Sequence, residues 1–357
     1  MLRVFRRSAV LSFVTLPLLV ACEGETDPTG PGGTIKEPAL NEIVTTAPLN
    51  AGSTDTLVYF SFATGTLVPK SSDWDLALRR YEVRLNSPAL AGVTSKGVTG
   101  VGLANNATAT DAQVLGFTPA STLAAFDAIR LANIPADSLF VSDRLQQDDR
   151  AHLNLSGVPT ANAANYWKTR LANGGFAVFR VSRIRFTPQF AVDTLYVESR
   201  VQGPSGLGSV QTLAIAPANQ PRAFSLSANA LVPAPSGCTW DLQFNPAPNS
   251  LALTVNSACS VGTYPGGQSP TFANATAAND AAQYAPYLSQ LVGPIPNNVL
   301  DKNGPFRYNL AGNDRLHPTF NVFFARSGTK TYKFQVIDYY SNTGVPAFPT
   351  LRYARVK

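Results

Sequence analysis

The chain has 357 residues, of which 45% are hydrophobic and only 14% are charged, while glycine and proline together number 53. This composition argues against a mainly helical protein and favours strands joined by turns. The formal net charge is +6, but no basic run with interleaved aromatic residues accompanies it, so the sequence does not predict a nucleic-acid partner.

The N-terminus combines three arginines, an apolar run and a cysteine. The apolar run from Ala9 to Val20 is shorter than the ~20 residues that span a bilayer, which favours a secretory signal over a membrane helix. A lipoprotein signal needs a cysteine at the new N-terminus to carry acyl groups, and Cys22 stands there. We therefore predict a signal peptide over 1–21 and lipidation of Cys22; the alternative is an ordinary signal peptide with an incidental cysteine.

Removal of this signal changes what remains for function. Basic residues fall from 28 to 25 against 22 acidic ones, which leaves a charge of +3, and the only methionine is lost. Residues 22–41 are rich in glycine, proline, threonine and acidic residues, so we interpret them as a flexible tether. Glu23 stands where an inner-membrane retention signal often has aspartate. The protein is therefore expected in the cell envelope, lipid-anchored at the outer membrane.

An internal repeat divides the rest of the chain. The segments Phe60–Phe62, Leu67–Pro69 and Trp74–Leu76 recur in the same order as Phe224–Leu226, Leu231–Pro233 and Trp240–Leu242. The mature length is also more than one core usually organises. We predict two tandem β-rich domains, 42–203 and 222–357, joined by a glycine-rich linker over 204–221.

The repeated Trp-Asp pairs have a structural interpretation. Trp74 and Trp240 occupy the same place in both copies, so we expect them to anchor a core. Asp75 and Asp241 beside them are expected to accept turn or backbone hydrogen bonds.

Alternation predicts antiparallel strands within the repeats. Residues 74–86 alternate, but the apolar side switches midway, which indicates a bulge or a strand buried differently at its two ends. Further strands are predicted at Asn321–Ala325, Tyr332–Ile337 and Pro349–Val356, with turns between them. Only Ala120–Ala132 and Ala275–Leu291, both alanine-rich, are predicted to be helical. The fold class is thus mainly β with minor helix.

Two cysteines remain in the mature chain, Cys238 and Cys259. In an oxidising compartment we favour a disulfide between them over two free thiols, worth about 3 kcal/mol for a loop of this size. No histidine or further cysteine lies at ligand spacing, so metal binding by this pair is not predicted.

Catalytic motifs are lacking. Only two histidines exist, His152 and His317, and neither accompanies a nucleophile elbow; Walker and dinucleotide glycine patterns are also missing. The acidic pair Asp148-Asp149 is typical of a solvated loop. We therefore predict that the protein is not an enzyme.

Residues 71–86 (SSDWDLALRRYEVRLN) resemble the opening signature of the HmuY family, which are surface-exposed haem-binding lipoproteins. Residues 332–340 (YKFQVIDYY), Gly344 and 351–353 are similar to the family's closing signature. The resemblance is weak in the middle of each repeat. It implies tandem HmuY-like domains of antiparallel β architecture, consistent with the alternation.

The resemblance also implies haem as a cofactor, held in the family's best-known mode by paired histidines. His317 lies where some family members carry a histidine, and His152 is the weaker candidate because it belongs to the other repeat. Pairing them would require the domains to share one haem, and a lone histidine before a proline is more often a loop residue. Possible partners are the membrane, haem or a haem-carrying protein, and an outer-membrane transporter.

Two functions remain open at this stage. The first is an envelope lipoprotein that binds haem or another hydrophobic ligand. The alternative is a structural or adhesive envelope lipoprotein on the same scaffold without haem binding. The number and position of the histidines distinguish these two functions, because a haem carrier is expected to offer paired ligands within one domain.

Overall fold

A computed structural model describes residues 37–357, except 55, 156, 190, 247–250 and 269–271. The signal peptide predicted over 1–21 and the lipidation site predicted at Cys22 lie outside the described residues. Within the described ranges, no helix has the length and apolar character needed to cross a bilayer.

The fold is mainly β, as predicted. The first strands are β1 (Val44–Thr45), β2 (Val58–Ser61), β3 (Thr66–Val68), β4 (Leu76–Arg79), β5 (Glu82–Leu85), β6 (Thr99–Gly102), β7 (Arg144–Gln147), β8 (Leu153–Asn154), β9 (Thr160–Ala161), β10 (Asn165–Arg170), β11 (Phe176–Phe186) and β12 (Val192–Gly203). The later strands are β13 (Gly206–Leu207), β14 (Gln211–Ile215), β15 (Arg222–Ser225), β16 (Ala230–Val232), β17 (Leu242–Asn245), β18 (Ala252–Val255), β19 (Gly262–Gln268), β20 (Ser289–Val292), β21 (Phe306–Tyr308), β22 (Leu316–Pro318), β23 (Val322–Ser327), β24 (Lys330–Tyr340) and β25 (Pro346–Arg355).

Helices are short and few in the described residues. They are α1 (Pro88–Ala91), α2 (Asp111–Gly116) and α3 (Leu123–Ala128), with single 3₁₀ turns at Gly92–Thr94, Leu131–Asn133, Asp137–Leu139, Ser257–Cys259 and Phe272–Asn274. The helix predicted over Ala120–Ala132 is thus confirmed only in part, as α3.

The prediction of a helix over Ala275–Leu291 is wrong. The segment runs irregularly to β20, with an isolated bridge between Ala285 and Thr263. Pro286 denies the last part of the segment a helical hydrogen bond, and no apolar stripe compensates. Its alanines serve instead as small residues against a sheet, since Ala275 and Ala278 are buried beside Phe272.

Two small sheets repeat the same topology. Their strand orders are β3–β2–β4–β5 and β16–β15–β17–β18, and both are antiparallel throughout. Each arises where the sequence repeats, so the same local pattern of hairpins has formed twice.

Buried aspartates reinforce this equivalence, as predicted. Asp75 accepts a hydrogen bond from the backbone N–H of Phe62 at 2.8 Å, and Asp241 accepts one from Leu226 at 2.8 Å. Asp75 also accepts from the hydroxyl of Ser327 at 2.6 Å. The tryptophans are less alike, because Trp74 is buried whereas Trp240 is only half-buried.

Residues 74–86 form a tight hairpin, β4–β5, and not the single bulged strand expected. Leu76 pairs with Leu85 and Leu78 with Val83, so all four side chains enter one core, although the buried positions are even-numbered in β4 and odd-numbered in β5. The turn at Arg80, with φ +52°, accounts for the switch of the apolar side.

Two larger sheets complete the fold. One has the order β1–β25–β24–β23–β6, and the other the order β13–β12–β11–β10–β19 with β14 also paired to β12. The three C-terminal strands predicted from the sequence are confirmed as β23, β24 and β25. Gly328 (φ +60°) and Gly344 (φ +81°) supply the left-handed backbone of the turns between them.

The packing defines two lobes. The first lobe, 37–143 with 293–357, has a core that joins β2–β5 to β23–β25, as in the contacts of Phe62 with Tyr332 and Phe334. The second lobe, 144–292, has a core that joins β10–β12 to β15–β18. Each core therefore draws strands from both predicted repeats.

The domain boundaries at 42–203 and 222–357 stay a prediction about the repeat in the sequence. Residues 204–221, predicted as a linker, include β13 and β14 of a large sheet. Residues 37–41, at the end of the predicted tether, already contact the folded body, since Asn41 donates to the carbonyl of Arg355 at 2.7 Å.

Candidate functional site

A cleft of about 1090 Å³ lies between the two lobes. Its lining comes from the β4–β5 hairpin and residues 293–301 of the first lobe, and from residues 148–167 and 289–292 of the second lobe. Ligand pockets in proteins typically measure about 300–1,000 Å³ and favour such boundaries. The cleft is therefore the main candidate site in the described part of the chain.

Apolar side chains form much of its wall. Trp167 lies behind this wall and is only 2% exposed, because it belongs to the core of the second lobe; its indole N–H donates to the carbonyl of Ser289 at 2.7 Å and its ring stacks on Phe179 at 5.5 Å. At the rim, Leu155 is 51% exposed and Leu300 is 75% exposed. Two exposed leucines at the mouth of one cleft provide an apolar surface that a ligand can cover.

Arginines form the polar part of the wall. Arg79 pairs with Glu82 at 2.8 Å and also donates to the carbonyl of Gly266 at 3.1 Å. Arg84 lies 3.5 Å from Asp143, and Arg150 adds a third cation to the lining. Arg79 and Arg84 are therefore already engaged by acceptors of the protein, and a carboxylate on a ligand would have to share or replace those acceptors.

Asp143 does not line the cleft but holds the β4–β5 hairpin that does. Its carboxylate accepts the backbone N–H of Leu85 at 2.6 Å, and burial raises its pKa while Arg84 opposes the rise. Gly293 makes this approach possible, because a Cβ there would lie 1.7 Å from Asp143 Oδ1. The β4–β5 hairpin is thereby tied to the strand that leaves the second lobe.

His152 does not line the cleft, although Ala151 and Leu153 on either side of it do. Its side chain is fully buried, and neither ring nitrogen makes a well-formed hydrogen bond within the described residues. Burial lowers the pKa of His152 to about 3, against an opposing contribution from the Asp149 backbone. The ring is held neutral and out of reach of solvent.

His317 lies in β22, paired with Arg307 of β21, and is likewise no part of the cleft lining. Cross-strand partners share a face, so His317 lies on the Arg307 side of the ribbon, which faces α2, whereas Tyr308 faces the cleft. Burial, with a contribution from Arg315, lowers the pKa of His317. The structure does not bring the two histidines together in the cleft.

The cleft offers tyrosines as its remaining iron-ligand type. Tyr308 donates to Asp314 at 2.8 Å, and this hydrogen bond raises the pKa of Tyr308. Burial likewise raises the pKa of Tyr81. A phenol coordinates ferric iron as the phenolate, so a raised pKa disfavours coordination by Tyr81 and Tyr308. Neither histidine belongs to the described lining, and tyrosines are the side chains there of a type that coordinates haem iron.

Cys238 and Cys259 form a disulfide, with their Cα atoms 5.3 Å apart. It joins the segment before β17 to the 3₁₀ turn after β18 and so closes one end of the small sheet of the second lobe. Elsewhere among the described residues, no group of three or more acidic, histidine or cysteine side chains is arranged to hold a metal ion.

The sequence singled out none of the cleft arginines as site residues. Arg79 and Arg84 lie in the segment that carries the family resemblance. Charged side chains within a predicted strand were the feature of the sequence that could have indicated a site there. Trp167 and Leu300 could not be assigned, because the cleft forms only when segments more than a hundred residues apart pack together.

Comparison with known proteins gives one family. A family model described as HmuY protein matches residues 53–353, which include strands of both lobes. A crystal structure of a candidate HmuY-like heme-binding protein from Bacteroides vulgatus aligns with 88% of this chain and 90% of that chain, at 9% identity and a TM-score of 0.31. A search of curated proteins finds no match.

Proposed function

This chain belongs to the HmuY family, a family of haem-binding-type proteins, and we propose that it binds a flat hydrophobic ligand with acidic groups in the cleft between its lobes. The cleft of about 1090 Å³ carries the proposal. Its size suits a porphyrin, its rim residues Leu155 and Leu300 offer apolar contact, and its arginines are the cations available to ligand carboxylates in exchange for their present protein acceptors. Haem is the first member of this ligand class to test.

The mode of binding follows from the side chains available. Neither His152 nor His317 lines the cleft, so we do not assign haem to a histidine pair there. Recognition instead depends on the faces and edge carboxylates of the ligand. A metal-free porphyrin has the same faces and carboxylates as haem, which makes the two ligands a direct test.

We therefore propose titrating haemin and metal-free protoporphyrin IX separately into the mature protein and following the Soret absorbance of each. Similar affinities, unchanged in His152→Ala and His317→Ala, are expected. Much tighter binding of haemin, lost in one histidine variant, would show that iron coordination dominates. Binding of neither ligand would favour the structural or adhesive alternative.

The rim leucines provide a second test. Leu155→Asp and Leu300→Asp are each expected to weaken ligand binding about tenfold, since losing ~1.4 kcal/mol of apolar contact corresponds to that factor. Val93→Asp is the matched control, because Val93 is fully exposed and does not line the cleft. Equal affinities in all three variants would remove the cleft as the site.

We also propose that the protein is held at the outer membrane by acyl chains on Cys22. The signal layout in the sequence supports this proposal, and two or more acyl chains suffice for stable anchoring. The intact mass of the protein purified from membranes is expected to carry the acyl addition, and Cys22→Ala is expected to abolish it. An unmodified mass in the native protein would contradict the anchor.

A further inference from the structure

Residues 112–141 pack over the outward side of the five-stranded sheet of the first lobe. Their inward side chains Val114, Phe126 and Phe140 are buried, and Phe140 joins a cluster with Phe324 and Val356. Five large apolar side chains of the same segment are nevertheless exposed. We call them the leucine face: Leu115 (41% exposed), Leu123 (43%), Leu131 (59%), Leu139 (55%) and Val141 (40%).

The segment carries almost no charge. Its three charged residues are each paired: Asp127 with Arg130 at 2.8 Å, and Asp137 with Arg326 of β23 at 2.6 Å. An exposed apolar surface with neutralised charges does not suit a nucleic acid or a strongly charged protein. It suits an apolar partner that is brought close by some other attachment.

The leucine face is held in place by cations of the sheet below. Lys333 donates to the carbonyls of Phe126 at 2.6 Å and Ile129 at 2.7 Å, at the C-terminal end of α3. Arg352 donates to the carbonyl of Pro119. These bonds fix the backbone, so the leucines cannot easily fold inwards to bury themselves.

The described chain begins at the same end of the sheet. Glu37 pairs with Lys330 at 2.5 Å, and Asp137 pairs with Arg326 at 2.6 Å. Arg326 and Lys330 flank the β23–β24 turn, where Ser327 pairs with Lys330. The start of the folded body and one end of the leucine face are therefore attached to the same hairpin.

We propose that the leucine face rests on the lipid bilayer that holds the acyl chains of Cys22. This inference rests on the anchor proposed above. Residues 23–36 number fourteen and can span at most about 46–50 Å even when fully extended, so Glu37 stays within about that distance of the acylated residue. Such a tether gives an effective concentration in the millimolar range, at which a weak apolar contact becomes occupied.

The experiment uses the lipidated protein reconstituted in phosphatidylethanolamine–phosphatidylglycerol vesicles. Leu123→Cys and Leu131→Cys each introduce a single free thiol for a nitroxide label, because Cys238 and Cys259 are in a disulfide and Cys22 is acylated in the proposed form. Val210→Cys and Val345→Cys are matched controls, since both residues are about as exposed but lie outside segment 112–141.

Labels on the leucine face are expected to gain collisions with oxygen and lose collisions with an aqueous nickel reagent, while the control labels stay aqueous. Aqueous behaviour at 123 and 131 would overturn the inference. Shielding from both reagents would also overturn it, because it indicates contact with a second copy of the protein.

Two further readouts separate this inference from the proposed function. If the mass of the protein lacks acyl chains, the anchor and the bilayer contact both fail; if acyl chains are present and the labels are aqueous, only the bilayer contact fails. The double variant Leu123→Asp, Leu131→Asp is expected to remain anchored and to bind porphyrin normally. It is expected to lose the lipid signal at a label on Leu139→Cys, and persistence of that signal would contradict the role of the leucine face.

Discussion

A fully buried histidine makes the stability of this protein depend on pH. Burial lowers the pKa of His152 to about 3, from an ordinary value of 6.5 in the unfolded chain. Between those values the unfolded state binds more protons, so stability is complete above about pH 6.5 and is lost as the pH falls towards 3. The expected slope for this group is at most about 1.4 kcal/mol per pH unit. Urea unfolding at several pH values measures it.

The variant His152→Leu isolates this effect. It is expected to flatten the slope between pH 6.5 and 3 and to leave the free energy of unfolding at pH 7 equal or higher, because two ring nitrogens without well-formed hydrogen bonds are removed. His317→Ala is the control and is expected to retain most of the slope. An unchanged slope in His152→Leu would mean that other groups dominate the acid sensitivity.

The repeated aspartates predict a matched pair of stability losses. Asp75→Ala leaves the buried N–H of Phe62 without its partner, and Asp241→Ala does the same to Leu226, so each is expected to cost about 2–4 kcal/mol. Lys96 contacts both Asp75 at 2.7 Å and Asp73 at 2.9 Å, but Asp73 is largely exposed, so Asp73→Ala is the control and should change stability by less than about 1 kcal/mol. Chemical denaturation measures all three, and equal losses in Asp73→Ala and Asp75→Ala would contradict this account.

Alternation of apolar and polar residues predicts the strands of this protein well and its turns poorly. The strands β23, β24 and β25 follow the predicted ranges, because an uninterrupted period-two pattern is compatible only with a continuous strand. In residues 74–86 the pattern allows either one bulged strand or two strands joined by a turn, since a bulge and a two-residue turn both reverse the apolar side. Only the pairing of Leu78 with Val83 decides between them.

The helix predicted over Ala275–Leu291 failed for a different physical reason, whereas the one over Ala120–Ala132 is confirmed in part by α3. Alanine favours helices, but it is also the side chain that fits where a segment lies close against a sheet. In Ala275–Leu291 this second use applies, and Pro286 removes a helical hydrogen bond. The helix propensity of a segment gives no information about the distant sheet against which its alanines pack.

The disulfide of the second small sheet should contribute a measurable share of stability. Cys238 and Cys259 are 21 positions apart, and closing a loop of about this length removes unfolded-state entropy worth about 3 kcal/mol. The double variant Cys238→Ser, Cys259→Ser is expected to lose that amount in urea unfolding. Native protein whose disulfide has been reduced should unfold at the same urea concentration as the double variant. If reduction leaves the unfolding midpoint of the native protein unchanged, the expectation is contradicted.

The family and the β architecture of this chain could be predicted from its sequence, but the cleft could not. The HmuY resemblance was carried by residues 71–86 and 332–353, which lie in two different sheets that share the core of the first lobe. The cleft depends on how the second lobe packs against that lobe. Residues such as Trp167 and Leu300 have no sequence pattern that distinguishes a cleft wall from an ordinary core or loop.

The repeat in the sequence could not determine which copies pack together. Each small sheet meets a large sheet, and a small sheet could pack on the large sheet of its own copy or on that of the other. The hydrophobic patterns are the same in both arrangements. In the structure, Asp75 binds Ser327 and Asp241 binds the backbone of Ala172, so each aspartate holds a hairpin from the other predicted repeat.

This exchange predicts which fragments fold. Residues 144–292 contain the whole core of the second lobe, and their ends are joined because β7 pairs with β20. Residues 42–203 contain β2–β5 without β23–β25, so the apolar faces of Phe60 and Phe62 would be exposed. We expect the fragment 144–292 to unfold cooperatively and to give a dispersed amide NMR spectrum, whereas the fragment 42–203 should not.

The outcome distinguishes two forms of the same architecture. If 42–203 folds cooperatively alone, its β2–β5 sheet can pack on its own β10–β12 sheet, and the tandem boundaries at 42–203 and 222–357 describe independent domains. If only 144–292 folds, the second lobe is a unit inserted into the first, and the cleft lies where the chain passes between them. A ligand in the cleft would then lie beside both places where the chain passes from one lobe to the other, since residues 148–155 and 289–301 line the cleft. Ligand binding would stabilise the junction of the lobes, and porphyrin should raise the unfolding midpoint of the whole protein but not that of the fragment.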